Sequence, residues 1–277
     1  MNTDQLIHFL TQASCFSSRM QTERNQLFTA HTVKEAAVLV GIVLHEGTWQ
    51  ILLTKRAETL RQHTGQIAFS GGRKDVQDDS LTATALREAY EETAIPITAW
   101  QAFAPLPFYD TPSGYRVTPV PAICVQPVNP KANPYEVAEI FYLPLDFALN
   151  LQNYSYRHLH HNNQTLALPA LPFQHYDIWG LTAIILYGLA ERYQQYCQAE
   201  TFAKFLPPPI TETPIQFFGC FRFKYPLILP KHPLNLPLIP DNQVSGPPFR
   251  QQQAHLACWR LSKGSNTSPS DGFVHSL

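Results

Sequence analysis

The sequence predicts an α/β domain in which a mixed β-sheet lies between helices. Two β-rich runs joined by a short polar turn, further strand-like runs downstream, and helical periodicity between and after them lead to that class. Val38 to Leu44 and Trp49 to Thr54 flank His45-Glu46-Gly47-Thr48, which reads as a hairpin. Residues 81–93 are mostly helix formers, with Ser80 as a good N-cap and Pro96 restricting Ile95. Tyr115 to Val125 alternates toward a strand, but Pro119 and Pro121 lack an N–H, so an edge or irregular course is expected. Val137 to Leu143 is another strand. Tyr176 to Tyr196 carries apolar residues at 178, 181, 184, 185, 189 and 193, predicting a helix that lays one face on the sheet.

Composition sets the organisation. With 44% apolar and 15% charged residues the chain reads as globular, and a net charge of −1 gives no reason to expect nucleic acid or an anionic membrane as partner. No apolar run approaches the ~18 residues that span a bilayer, and the first twenty residues do not form a secretory signal, so a cytoplasmic location is expected. The cysteines at 15, 124, 197, 220 and 258 form no C-x-x-C pair and read as ordinary thiols. A homodimer is compatible with the sequence. Half of the 24 prolines, 12, fall within residues 201–277, a segment that keeps many aromatics and shows no clear periodicity. The expected division is a helical segment at 1–34, the main domain at 35–197, and a proline-rich, irregular extension at 198–277.

The chemistry concentrates between Gly71 and Pro96. A glycine turn, Gly71-Gly72, feeds the helix over 81–93, and Glu88, Glu91 and Glu92 fall at i, i+3 and i+4 on one face. That arrangement is unfavourable in isolation. Like charges at i, i+4 repel by about 0.2–0.5 kcal/mol, and acids near a helix C-terminus oppose the dipole by about 0.3–1 kcal/mol each. A divalent cation reverses both signs, and Mg²⁺ in particular takes carboxylate oxygens while bridging to substrate phosphates. The competing reading is a solvated acidic face with an Arg87–Glu91 pair.

The flanking residues decide between them. Gly72 followed by Arg87-Glu88-Ala89-Tyr90-Glu91-Glu92-Thr93-Ala94-Ile95 resembles the Nudix box, G-x5-E-x7-R-E-U-x-E-E-x-G-U with U apolar. The spacing from Gly72 to Arg87 is one residue longer, Asp78 or Asp79 stands where the first glutamate belongs, and Ala94 replaces the late glycine. Upstream, Leu52 to Gly72 resembles the L-L-T-x-R-S-x-x-L-R-x-H-x-G-Q-V-A-F-P-G-G signature of the coenzyme A pyrophosphatase branch, with Ala57 for serine and Ser70 for proline. The second exchange frees the backbone before the glycines, so a less rigid loop is expected there. The likeness continues through Gly114–Val120, Glu136-Val137 and Ile178–Ala183, covering roughly residues 35–195.

The resemblance implies a Nudix α/β/α sandwich that uses Mg²⁺ or Mn²⁺ to hydrolyse the diphosphate of coenzyme A or a derivative. It implies Glu88, Glu91 and Glu92 as metal ligands, helped by a carbonyl of the Gly71-Gly72 turn, and Arg87 as the group that orients a glutamate. Glu136 is the candidate general base outside the box, with Glu91 as the candidate within it. Arg56, Arg61, His63 and Gln66 are the candidate substrate contacts, since coenzyme A adds a 3′-phosphate and a pantetheine arm. Tyr176, Trp179 and Tyr187 read as core, with a pantetheine groove as the rival. His158, His160 and His161 read as a polar hairpin tip, because no carboxylate or cysteine follows at ligand spacing. Hydrolysis of another nucleoside diphosphate derivative such as ADP-ribose, or nucleotide binding without cleavage, are the alternative functions.

Overall fold

The computed structural model describes residues 1–27, 33–57, 65–161 and 164–205. The chain opens with two helices. α1 (Thr3–Gln12) opens on a capping box in which Asn2 and Gln5 satisfy each other's backbone N–H, and α2 (Arg19–Asn25) follows. β1 (Lys34–His45) and β2 (Thr48–Arg56) form the anticipated antiparallel hairpin. His45 pairs with Thr48 across a two-residue turn, and Glu46 and Gly47 both take positive φ, the conformation that matches strand twist.

β3 (Ile67–Ala68) extends the antiparallel pairing of β2, and β4 (Gly71–Arg73) pairs antiparallel with the first part of β1. So β1 gives one edge to β4 over Ala36–Val38 and then to β2 over Ile42–His45. α3 (Leu81–Thr93) follows, then the short strands β5 (Gln101–Ala102) and β6 (Tyr109–Asp110). β8 (Val137–Pro144) lies along the other side of β2.

The prolines of β7 (Tyr115–Cys124) do not place it at an edge. It runs parallel to β1 over ten paired positions and carries β5 and β6 on its opposite side. The carbonyls of Pro119 and Pro121 accept from the N–H groups of Leu106 and Phe103, in the gap between β5 and β6. Within a strand a residue's N–H and C=O point the same way, so the two missing donors face that gap rather than β1. An interior strand tolerates proline where one side of its ladder is already interrupted.

α3 covers one face of the sheet with Ala85 and Ala89 against Ala37, Leu39, Leu52 and Val120. The other face carries the larger core, built from Leu53, Ile123, Phe141 and Leu143 with α1, α4 (Leu145–Leu149) and α5 (Gly180–Phe205). A three-stranded antiparallel sheet completes that side: β9 (Ser155–His161), β10 (Gln164–Phe173) and β11 (Tyr176–Ile178). The result is the sandwich the sequence implied.

Three local expectations change. Tyr176 to Ile178 are strand, because they pair with Leu171–Phe173, and the helix starts only at Gly180, whose φ is +66°. Trp179, on that junction, is 44% exposed rather than core, whereas Tyr176 is buried. α5 also runs unbroken through the expected boundary at 197/198; residues 206–277 lie outside the described residues. His158 to His161 do lie in a hairpin arm, with His161 opposite Gln164. Among the described residues no helix is long and apolar enough to cross a membrane.

Candidate active site

α3 is held at both ends. The Ser80 hydroxyl accepts from the Ala83 N–H at 3.1 Å, and the helix stops at Ala94 in the left-handed conformation, φ 56°. Beyond it, the Asn133 and Lys131 N–H groups donate to the last carbonyls, Glu92 O at 3.0 Å and Thr93 O at 2.7 Å. This docks the loop carrying Glu136 onto the helix end. Glu136 in turn accepts, through its carbonyl, from the Ala57 N–H at 2.9 Å, which ties that loop to the end of β2 beside Arg56.

Arg87 is the hub of the first half of the site. Its guanidinium grips Asp78 with two bonds, Nε to Oδ1 at 3.0 Å and Nη2 to Oδ2 at 2.9 Å, and Nη2 also donates to the Arg73 carbonyl at 3.3 Å. Nη1 lies 2.9 Å from Glu88 Oε1 and 3.2 Å from Glu91 Oε2. Asp78 accepts further bonds from the Asp75 N–H and the buried Thr84 hydroxyl. The bidentate guanidinium, foremost, holds the Asp78 carboxyl well below the usual carboxylate range. Arg87 therefore contacts both Glu88 and Glu91, but its principal partner is Asp78.

Glu88 and Glu92 face the glycine turn. A Cβ on Gly72 would fall 2.5 Å from the Glu88 carboxyl carbon, and one on Gly71 would fall 2.4 Å from the Ala37 carbonyl oxygen. Only glycine lets the turn pass between the sheet and these carboxylates. Glu92 is 3% exposed, and burial pushes its carboxyl up to about 7. The Ser70 hydroxyl, the Gly71 N–H (3.5 Å to Oε1) and the Arg56 charge pull the other way, while Glu136 adds to the rise. Burial also raises Glu88, against the opposing pull of Arg87, and Glu136 acts on it in the same sense as burial.

The fold thus gathers Glu88, Glu92, Glu136, Arg56, Gly71 and Gly72. Arg56 follows the bulge between Lys55 and Arg56, and its buried Nε has no hydrogen-bond partner among the described residues. Gln66 adjoins it through the Arg56 N–H to Gln66 carbonyl bond at 3.0 Å. Glu91 stands apart, half exposed on the Arg87 side. Arg61 and His63 lie outside the described residues. Ser70, expected to loosen the turn, is buried and fixed instead: its carbonyl accepts from the Leu39 N–H at 2.8 Å. Asp78 as an anchor, and Thr84 as a hydroxyl donor to it, are what the sequence reading missed. The signal available was a polar residue at each place where a buried turn meets the helix.

Among the described residues no three His, Cys, Asp or Glu side chains form a ready-made cation cage. The donors nonetheless fit a hard cation that needs few protein ligands. Two carboxylates lie one helical turn apart, both pushed toward protonation by burial, with a glycine cradle shaped around one of them. Mg²⁺ is commonly held by one or two carboxylates, with water and substrate phosphates completing its shell.

Comparison with known proteins shows what the chain is similar to. The family model for the NUDIX domain matches residues 35–161. A Cronobacter sakazakii protein called "Uncharacterized Nudix hydrolase NudL" is 43% identical over 176 residues, covering 63% of this chain and 91% of the relative. Its namesake from Pectobacterium atrosepticum is 42% identical over 160 residues, covering 58% and 83%. Among solved structures, the Nudix hydrolase RenU from M. smegmatis aligns with a TM-score of 0.39 at 18% identity, covering 63% of this chain and 90% of that one.

Proposed function

The chain belongs to the Nudix hydrolase family and is a pyrophosphatase of that type; from this premise we propose that it hydrolyses the diphosphate of coenzyme A, giving 3′,5′-ADP and 4′-phosphopantetheine. Nudix hydrolases generally use divalent metal ions such as Mg²⁺ or Mn²⁺. In this chain Glu88 and Glu92 would hold such an ion, with Glu91 as a third acid within one turn and a carbonyl of the Gly71-Gly72 turn completing the protein's share. Bound there, the ion supplies charge neutralisation for the diphosphate oxygens and for the leaving phosphate.

The remaining work falls to side chains. Arg87 fixes Glu88 while anchored to Asp78, so the carboxylate meets its ligand without reorganising. Arg56 offers its unpartnered Nε to a phosphate oxygen, with Gln66 beside it; Arg61 and His63, in the same run of the chain, are the further candidates for meeting the phosphates. Glu136, exposed and within electrostatic reach of Glu88 and Glu92, accepts the proton of the attacking water. The water oxygen bonds to phosphorus as the bridging P–O bond breaks, and the bridging oxygen departs with the other phosphate.

The observation that carries the choice of coenzyme A is the run Leu52 to Gly72, which ends at this turn and contributes Arg56 beside Glu92. A half-buried arginine there, whose Nε has no partner among the described residues, supports an anionic substrate reaching past the ion-holding carboxylates. The test is incubation with coenzyme A, ADP-ribose or NADH, with and without Mg²⁺ or Mn²⁺, and identification of products by mass. Cation-dependent release of 3′,5′-ADP at a kcat/KM above that for the other two is expected; preferential cleavage of ADP-ribose would replace the substrate, and no cleavage of coenzyme A would refute the reading.

A further inference from the structure

Ahead of β8, residues 131–136 lie outside every strand and helix, and of these six only Asn133 is not exposed. Three consecutive N–H groups find their acceptor on this one residue. Asn133 Oδ1 takes the Tyr135 N–H at 3.2 Å, and the Asn133 carbonyl takes those of Glu136 and Val137 at 3.0 and 2.8 Å. A carbonyl oxygen has two lone pairs, so the third N–H depends on the side chain. Pro134 brings no N–H of its own, and the Asn133 amide closes on the residue two positions along, a turn that Asn and Asp both make. On its other side the Asn133 N–H donates to the Glu92 carbonyl at 3.0 Å, and beyond the turn the Glu136 carbonyl accepts from the Ala57 N–H at 2.9 Å. Asn133 thus joins the backbone of Glu92 to that of Glu136.

We propose that Asn133 is a positioning residue for the general base, its side-chain turn fixing Glu136 relative to the helix end that carries Glu92. The inference rests on the assignment of Glu136 as that base. It deepens the assignment by naming what aims a glutamate that is itself exposed on its loop. Alanine at 133 removes the acceptor for Tyr135, but Tyr135 is 82% exposed, so water takes over its N–H and the domain stays folded. What loosens is the placement of Glu136. A displacement of about 1 Å at a reacting group can cost up to about 100-fold in rate. Aspartate keeps the accepting oxygen, and serine supplies a weaker one.

The experiment measures kcat and KM of the full chain for coenzyme A at saturating Mn²⁺, with melting in a chelator as the folding control. Asn133→Ala should lower kcat about tenfold or more with KM within about threefold, Asn133→Asp should keep kcat within about threefold of the parent, and Asn133→Ser should fall between them. Glu136→Gln should itself be about 100-fold slower. Adding Asn133→Ala to Glu136→Gln should change kcat by less than about twofold, because no base is left to aim. Equal losses from Asn133→Ala in the two backgrounds would show a structural role and overturn the proposal. Parent-like kcat in Asn133→Ala, or an aspartate variant as slow as the alanine one, would overturn it too, with the base assignment left standing. Parent-like turnover in Glu136→Gln would overturn the base assignment and this inference with it, and no cleavage of coenzyme A by the parent would overturn the functional reading from which both follow.

Discussion

The two halves of the charged cluster on α3 are built on opposite principles. Toward the loop, Arg87 and Asp78 form a closed arrangement in which a two-pronged guanidinium and two further donors satisfy one carboxylate. Toward the helix end, Glu92 is buried and Glu88 half-buried, and burial raises both carboxyls, Arg87 opposing it only at Glu88. One carboxyl is driven toward its charged form and two are driven away from it, within fifteen residues of chain. The satisfied half is a clamp joining the glycine loop to the helix. The unsatisfied half is where the proposed reading puts the cation, and the asymmetry is what that reading rests on.

Removing a ligand charge should break the contrast most severely. Glu92→Gln is expected to lower turnover by at least about 100-fold while raising the melting temperature of the metal-free protein, because a neutral amide does not incur the burial cost of a carboxylate. Steady-state kinetics and a thermal melt in chelator check both, and near-normal turnover would mean the cation is held elsewhere.

Next in size is the pH dependence of the metal-free protein, in which the two halves act with opposite signs. The folded value for Glu92, about 7, exceeds its ordinary 4.5, so the folded state holds a proton that the unfolded chain has released between those pH values. Stability from this group is full below about pH 4.5 and falls as pH rises to 7, by about 3 kcal/mol. Asp78 is depressed below 3.8, so its contribution is present above that pH and fades as pH falls through its lowered value. Chemical denaturation in chelator across pH 3–8 should therefore show maximal stability near pH 4–5, and saturating Mg²⁺ should move the maximum toward neutrality. A flat profile would remove the distinction.

Asp78→Asn tests the clamp. Loss of the charge-assisted grip should cost about 2 kcal/mol in urea unfolding. The smallest effect concerns the helix end: Ala94 takes φ 56°, and Ala94→Gly should stabilise the protein by about 0.5–1 kcal/mol. A loss of stability there would show that the methyl group packs usefully.

Much of this was legible in the sequence because it rests on local chemistry. The β1–β2 hairpin follows from Glu46-Gly47, α3 from Ser80 and Pro96, and the carboxylate face from spacing alone. What escaped was set by partners distant in sequence. The interior position of β7 depends on where its prolines point relative to β5 and β6. Strand at Tyr176–Ile178 depends on pairing with β10, which overrides a helical spacing that continues through it. Asp78 was noticed as a motif departure, but its bidentate bond to Arg87 could only be seen once the loop was folded over the helix.

The central claim is that Glu92 is a buried carboxylate short of positive charge until a cation arrives. The most direct measurement is a pH titration of carboxyl-¹³C-labelled glutamates by NMR, with Glu92 assigned through the glutamine variant. The account predicts an apparent pKa near 7 without divalent cation and a value below 4.5 with saturating Mg²⁺. An ordinary value near 4.5 that Mg²⁺ leaves unchanged would contradict it.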